Sequence, residues 1–384
     1  MRFEFSTATQ IVFGTGALRE AGRLVRPWGR RAFVVTGGKR ARADALIKLL
    51  EAEDIDVSVF SVAHEPSVGA VTQGLAAARA AQSEFVIGFG GGSVIDTAKA
   101  IAGLVTNPGV PLDYLEVVGA GKPLTQPALP WMAIPTTAGT GAEVTRNAVL
   151  AVPERRVKVS LRSPHLLARI ALVDPELTLN LSPATTAATG MDALTQLIEA
   201  YVCNRANPMT DALCAAGIPR AARALRAIWD NPGDLRARED LSLAALWSGM
   251  ALANAGLGAV HGFAGPIGGL FPAPHGAVCA ALLAPVMAAN IAALRERAPE
   301  SLVLRRYTEI ANWLTGRAGA TPDDGVQQIE ELIRRLQVVK LSVYGLTVNS
   351  IPDVVEQAQR ASSMKANPLV LTSSELSCAL AAAL

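Results

Sequence analysis

The chain is short of the side chains that most often carry chemistry. It has only four histidines and four cysteines in 384 residues. The cysteines, Cys203, Cys214, Cys279 and Cys378, form no CxxC pair, so neither a zinc-ribbon spacing nor a secreted disulfide framework is offered. Scattered thiols in a reducing compartment are the expectation. Neither sign of charge is in excess: 35 basic and 33 acidic residues leave a net +2. That balance argues against nucleic acid or an anionic membrane as the main partner. Aromatic residues make up 5% while half the residues are hydrophobic, so the interior should be aliphatic and rich in alanine. The opening MRFEFSTATQ lacks a basic-then-apolar signal pattern. The longest apolar run, ALLAPVMAANIAAL (281–294), is too short for a bilayer and contains a proline. A soluble, cytoplasmic protein is expected.

What is present in the first half is an alternation of strands and helices. RAFVVTGG (31–38), VSVFSV (57–62), EFVIGFG (84–90) and WMAIP (131–135) are apolar runs of strand length. Continuous hydrophobicity of that kind marks a parallel strand buried on both faces. Helical spacing follows the first three, in ADALIKLLEAE, VGAVTQGLAAARAA and GGSVIDTAKAIAGLV. Residues 2–13 read as extended, and an amphipathic helix runs on to about Val25. The alternation predicts a doubly wound α/β domain. Shorter strand-like pieces, VLAVP, VKVSL and IALVDP, fill 149–175. Ser182-Pro183 is an N-cap followed by a first-turn proline, and nearly everything beyond it has helical spacing. The expected architecture is a dinucleotide-binding α/β domain over 1–178 with an all-α domain over 179–384.

Three loops bear on a cofactor. GFGGGSVIDTAKA (88–100) joins a strand to a helix. Gly90, Gly91 and Gly92 let a ligand approach the backbone, and Ser93 sits where free N–H groups and the helix dipole favour phosphate. This is not GxGxxG, and a plain glycine-rich turn is the alternative. PTTAGTGAEVT (135–145) offers the Thr136 and Thr137 hydroxyls at a strand's carboxyl end, where α/β sheets bind ligands. A capping box of Thr140 and Glu143 is its alternative. In VVTGGKRAR (34–42), the strand ends in Gly37 and Gly38, followed by Lys39 and Arg40. An acid at such a place repels a 2′-phosphate; its absence admits NADP, and an exposed basic helix start is the alternative.

Asp192 and Gln196 lie one helical turn apart and share a face. His261 and His275 follow within glycine- and proline-rich surroundings, GLGAVHG and PAPHG. One carboxylate, two imidazoles and an amide oxygen form a mixed nitrogen and oxygen set, suited to Fe²⁺ or Zn²⁺ rather than Mg²⁺ or Ca²⁺. A solvated helix face and two structural histidines are the alternative. His64 and His165 lack such surroundings and read as structural or surface residues.

These segments together carry a resemblance. GGGSVIDTAKA, PTTAGTGAEVT, ALVDPELT, GMDALTQLIEAYV with NPMTDAL, the VHG and PHG histidines, and SSMKANP (362–368) occur in that order. The chain resembles the iron-containing (group III) alcohol dehydrogenases from the strand near Gln10 to the last helix. The resemblance implies a dehydroquinate synthase-like architecture: a dinucleotide domain, a helical metal domain and an active cleft between them. It also implies a metal-dependent, NAD- or NADP-linked enzyme acting on a small alcohol or aldehyde, as a homo-oligomer, a dimer. By position, Gly91, Gly92 and Ser93 would hold the pyrophosphate. Thr136, Thr137 and Thr140 would line the cofactor beside Gly37 and Gly38, and Lys158 would reach its ribose. Asp192, Gln196, His261 and His275 would occupy the metal positions, with Asp192, His261 and His275 as the catalytic set.

Two residues depart from the family pattern. Gln196 stands where the family has a histidine, and Gly265 where it commonly has another, four residues after the third ligand. A neutral amide is a weaker donor, which leaves the metal chiefly to Asp192, His261 and His275 and implies zinc or weakly held iron. With no imidazole at 265, a proton would pass through water, a ribose hydroxyl or a threonine. Phe263, Leu270 and Phe271 are candidate pocket walls, with core packing as their alternative. The rival readings are a maleylacetate reductase-type enzyme without metal, where the aspartate position is commonly not a carboxylate, a dehydroquinate synthase-like lyase, and a protein that has lost activity.

Overall fold

The computed structural model describes residues 2–384 apart from His64 and Arg156. Two compact units result. One comprises Ser6–Thr137 with Gly141–Asn180; the other comprises Leu181–Leu384 with Ala138–Thr140 and the N-terminal segment ending at Phe5.

The strands of the first unit are, in chain order, β1 (Gln10–Phe13), β2 (Arg31–Gly37), β3 (Asp56–Val62), β4 (Phe85–Gly90), β5 (Trp131–Pro135), β6 (Asn147–Val152), β7 (Val157–Arg162) and β8 (Ile170–Val173). Six form one parallel sheet in the order β1-β8-β5-β4-β2-β3. Every residue of β4 is buried, as its unbroken apolar run requires. Between the strands run α1 (Ala21–Val25), α2 (Asp44–Glu51), α3 (Val68–Ala80), α4 (Gly92–Val105) and α5 (Pro111–Tyr114). The chain winds from β2 out to β3, then returns across β2 to β4. The switch point therefore lies between β2 and β4, and ligands bind outside the carboxyl ends of the strands at such a point.

Two expectations are refined. Residues 2–13 are not a long strand: only Gln10–Phe13 pair, because the partner β8 is itself four residues long. The strand-like pieces of 149–175 also divide. β6 and β7 make a separate antiparallel hairpin, and β8 returns to the sheet. β6 alternates buried and half-buried positions, the signature of a strand packed on one face.

The sequence GGGSVIDTAKA opens α4. Its latter part is structural. The Lys99 side chain is fully buried and donates to Ala142 O (2.9 Å), Thr145 Oγ1 (2.8 Å) and Asn147 O (2.7 Å). Asp96 pairs with Lys99 at 3.3 Å and accepts from Val149 N at 3.0 Å. Burial lowers the Lys99 pKa, and a buried ammonium is tolerable only with such partners. These bonds pin α4 to the chain leading into β6.

The second unit is helical: α6 (Pro183–Val202), α7 (Pro208–Asp230), α8 (Leu235–Asn254), α9 (Ala259–Leu270), α10 (His275–Arg297), α11 (Leu302–Thr315), α12 (Pro322–Arg335), α13 (Ile351–Arg360) and α14 (Ser373–Ala382). The start signal read at Ser182 holds, its Oγ accepting from Thr185 N, and the structure adds Asn207, which caps α7 ahead of Pro208. Each such cap contributes about 1 kcal/mol. α10 corrects one expectation. The run 281–294 belongs to a 23-residue helix that continues through Pro285 and is, by length and composition, long enough to cross a bilayer. It is mostly buried, packed against α6, α9, α12 and α14, and so serves as a core helix of this unit.

Candidate functional site

Helix α6 carries the first part of the site. Met191, Leu194, Leu197 and Ile198 turn into the core, while Asp192, Gln196 and Glu199, at i, i+4 and i+7, form one polar stripe. All three polar residues are buried, with Asp192 at 1% exposure. Buried polar groups need partners, and those of the stripe come from α8, α9 and α10.

Glu199 is the organising group at the start of α9. That helix has Gly258 as its N-cap, with no side chain of its own closing the first turn. Glu199 Oε1 accepts from Val260 N at 2.7 Å, and Asn367 Oδ1 accepts from Ala259 N at 3.1 Å. A Cβ on Gly258 would stand 2.8 Å from both of those oxygens, so glycine is needed for the approach. Asn367, from SSMKANP, is held by a 2.8 Å bond to Asn290 Oδ1 and a 2.9 Å bond to Leu369 O. Glu199 Oε2 also lies 2.6 Å from His261 Nδ1. With the carboxylate ionised, Nδ1 donates, and the Nε2 lone pair is presented away from Glu199. A metal-ligating histidine is commonly fixed by this carboxylate–imidazole pairing.

His275 is the first residue of α10. Its neighbour Gly276 lets that helix close on α6: a Cβ there would come within 2.3 Å of the Ala188 carbonyl oxygen, a backbone atom that cannot swing aside. The close approach brings His275 Nε2 to 3.6 Å from Asp192 Oδ1, while His261 Nε2 stands 3.3 Å from the same oxygen. Cys279, one turn further along α10, places Sγ 3.7 Å from both imidazole Nε2 atoms. One ligand atom each from Asp192, His261, His275 and Cys279 thus lies within 4.8 Å of every other.

Asp192 Oδ1 is the telling atom. It is buried and makes no hydrogen bond, although both imidazoles lie within ion-pair distance. The His275 contact, at 3.6 Å, is beyond hydrogen-bond range, and the 3.3 Å His261 contact does not satisfy the oxygen either. Donor atoms around a tetrahedral metal, with bonds of about 2.0–2.2 Å to nitrogen or oxygen and about 2.3 Å to sulfur, stand roughly 3.3–3.7 Å apart. The residues fit a divalent cation.

The electrostatics agree. Burial opposes ionisation of Asp192, yet His275 and His261 hold its pKa below the ordinary carboxylate value. Cys279 and Asp192 raise the His275 pKa to about 9, against burial. Burial also opposes a charge on His261, but Cys279, Asp192 and Glu199 lift its pKa well above the usual range.

Gln196 is brought beside Asp192, but its amide is engaged. Oε1 accepts from Ser248 Oγ at 2.8 Å, and Nε2 donates to Asp192 Oδ2 at 3.4 Å. Turning the amide over would set its oxygen against the carboxylate. Gly265 leaves space: a Cβ there meets nothing within 4 Å. Of the candidate pocket walls, Phe263 is fully buried in the core, Phe271 packs against that core and Leu270 is 37% exposed. His165 is exposed, and His64 lies outside the described residues.

The cofactor candidates sit in the sheet unit, with one exception. Gly37 ends β2 and Gly38 follows it; Gly91 is the N-cap of α4, with Gly92 and Ser93 in the first turn and no side chain closing that end. The two loops flank the switch point. Uncapped N–H groups at a helix start are suited to phosphate. Thr136 and Thr137 follow β5, where Thr136 N donates to Gly90 O at 2.9 Å. The exception is Thr140, which clusters with the helical unit. The Thr140–Glu143 capping box does not form: the short helical turn Ala142–Val144 is capped by Gly141 at φ 59°, and Glu143 is buried instead. Lys158, on β7, pairs with Glu65.

Sequence reasoning missed Glu199 and Cys279. Both had a signal. Glu199 continues the polar stripe of α6, and Cys279 follows His275 at i+4 on a helix, the same spacing that singled out Asp192 and Gln196.

Comparison with known proteins bears on the same residues. A family model described as iron-containing alcohol dehydrogenase matches residues 8–175, and one for the C-terminal part of the Fe-containing alcohol dehydrogenase family matches 186–384. Alcohol dehydrogenase 4 of Saccharomyces cerevisiae is 34% identical over 370 residues, covering 95% of this chain and 94% of its own length. A crystal structure of 1,3-propanediol oxidoreductase superposes with a TM-score of 0.92 at 32% identity, over 100% of both chains. Sulfoacetaldehyde reductase from Bifidobacterium kashiwanohense, in complex with NAD⁺, superposes with a TM-score of 0.87 at 28% identity, over 99% of this chain and 98% of that one. The agreement runs through both units and through the segments that build the four-atom cluster: the chain belongs to the iron-containing alcohol dehydrogenase family, oxidoreductases that use NAD and a metal.

Proposed function

We propose that the enzyme interconverts a small alcohol and its aldehyde with NAD(H) or NADP(H), with Asp192, His261 and His275 as the catalytic set holding a divalent metal, zinc or iron. The buried Oδ1 of Asp192, which accepts no hydrogen bond although both imidazoles stand beside it, carries this reading. When bound, the metal supplies Lewis-acid polarisation of the substrate oxygen, and the nicotinamide supplies the hydride acceptor or donor. The protein's own work is positional. Gly91, Gly92 and Ser93 would bind the pyrophosphate, Thr136 and Thr137 would line the cofactor, and Thr140 would join them. Gly37 and Gly38, followed by Lys39 and Arg40, leave no acid to repel a 2′-phosphate. Lys158 would reach a ribose only by sharing its ion pair with Glu65. Glu199 holds the Nδ1 proton of His261. His275, its side chain 41% exposed, marks the open side of the cluster. No imidazole stands at position 265, so the proton released on alcohol oxidation would leave through water, a ribose hydroxyl or a threonine.

A maleylacetate reductase-type reaction without metal is the second reading, and the Asp192 carboxylate clustered with two imidazoles and a thiol counts against it. Metal content of the purified protein, measured with NADH and NADPH oxidation across an aldehyde panel and maleylacetate, tests both. Metal-dependent reduction of aldehydes is expected. Metal-independent turnover with maleylacetate alone would replace this reading. A homodimeric, cytoplasmic enzyme is proposed alongside, supported by family resemblance and by free thiols; sedimentation and cell fractionation would check it.

A further inference from the structure

We propose that Cys279 is a metal ligand that takes the place Gln196 leaves, giving a donor set of one oxygen, two nitrogens and one sulfur. The inference rests on the metal-dependent reading above and goes beyond it in naming the fourth donor and the metal class. Three observations carry it. Cys279 is fully buried, yet its sulfur lies among polar ligand atoms rather than within an apolar wall. Its two separations from His261 Nε2 and His275 Nε2 are equal at 3.7 Å, although one thiol proton can serve only one of the two nitrogens, and they match the roughly 3.6 Å that tetrahedral angles impose between nitrogen and sulfur on a common metal. The amide of Gln196, meanwhile, is committed to Ser248 and Asp192. His275 and Cys279 are i and i+4 on α10, so one rigid helix face presents both donors.

Binding forms a sulfur–metal bond as the thiol proton leaves to solvent, and no electrons are exchanged. A thiolate is a softer donor than the amide oxygen it replaces and selects zinc over magnesium, calcium or manganese. It also lowers the site's charge: Asp192 and a Cys279 thiolate together neutralise a divalent cation, whereas Asp192 and an amide leave it at +1.

The test uses the full-length protein, stripped of metal and reloaded with zinc or with cobalt(II). X-ray absorption of the zinc form should show a sulfur at about 2.3 Å. The cobalt form should show a thiolate-to-cobalt charge-transfer band in the near ultraviolet. In Cys279→Ser that band should vanish, and zinc affinity should fall by at least the roughly 10–100-fold that losing an outer-sphere partner costs. A first shell of nitrogen and oxygen alone in the unaltered protein, or a band that survives Cys279→Ser, overturns the proposal and leaves metal-dependent catalysis standing. Failure of the protein to take up either metal overturns both. If Cys279→Ser does not fold, the absorption spectrum of the unaltered protein decides.

Discussion

The two candidate regions are built from different materials. At the carboxyl ends of β2, β4 and β5, the ligand-facing groups are largely backbone: glycines and a helix start, with short hydroxyl side chains beside them. The cluster in the helical unit is made of side chains, drawn from α6, α9 and α10 and held in place by an outer ring of Glu199, Asn367 and Asn290. A backbone site tolerates sequence change as long as the turn is kept. A side-chain site depends on each identity and on its supports. Substitution should therefore act sharply in one region and more gradually in the other.

His261→Ala should break the comparison most strongly. It removes a nitrogen donor, and turnover should drop at least about 100-fold, since even an outer-sphere partner of a metal ligand is commonly worth 10–100-fold. Affinity for NADPH, measured by fluorescence titration, should stay at its original value. A parallel loss of cofactor affinity would show that the two regions do not act separately.

Glu199→Gln should come next. The amide keeps the shape but weakens the acceptor at His261 Nδ1, so metal affinity should fall roughly 10–100-fold. Competitive chelator titration reads the loss. Unchanged affinity would mean that Glu199 only caps α9. On the cofactor side, Gly91→Val should act in the opposite sense. A Cβ there already comes 3.4 Å from the Thr137 side chain. The two methyls that valine carries beyond that Cβ should crowd the loop and lower kcat/KM for the cofactor on the order of 10–100-fold while metal content stays stoichiometric.

This contrast also explains how much could be read from sequence. The sheet was legible because parallel strands need continuous apolar runs and glycine punctuation, and both are local. The helix start at Ser182 was legible for the same reason. Asp192, His261 and His275 were picked out by type and surroundings. Cys279, the proposed fourth donor, was not, because it looked like any small buried residue of an alanine-rich helix until α10 was seen closing on α6 over Gly276. Gln196 was picked out by its place one turn from Asp192, and what that place did not show is Ser248, 52 residues away, whose hydroxyl lies 2.8 Å from the amide oxygen. The Thr140–Glu143 pattern failed because Gly141 adopts the left-handed conformation and Glu143 turns inward toward Lys99.

Glu143 supplies the smallest predicted effect. Burial raises its pKa from the ordinary 4.5 to about 7. Between those values the unfolded chain loses the proton while the folded chain keeps it, so stability falls as pH rises through that window and levels off above it. Glu143→Gln should remove this slope. Melting temperatures of the two proteins should converge near pH 4.5 and separate toward pH 7, with the variant higher. A constant difference across that range would show that the carboxyl is already ionised in the fold.

The most direct measurement is turnover before and after removal of metal. The enzyme would be dialysed against chelator, assayed with NADPH and an aldehyde, and then titrated with zinc or iron(II). Activity lost on chelation and restored at one equivalent of metal per chain is the predicted result. Full turnover in protein shown by elemental analysis to be metal-free would contradict the account.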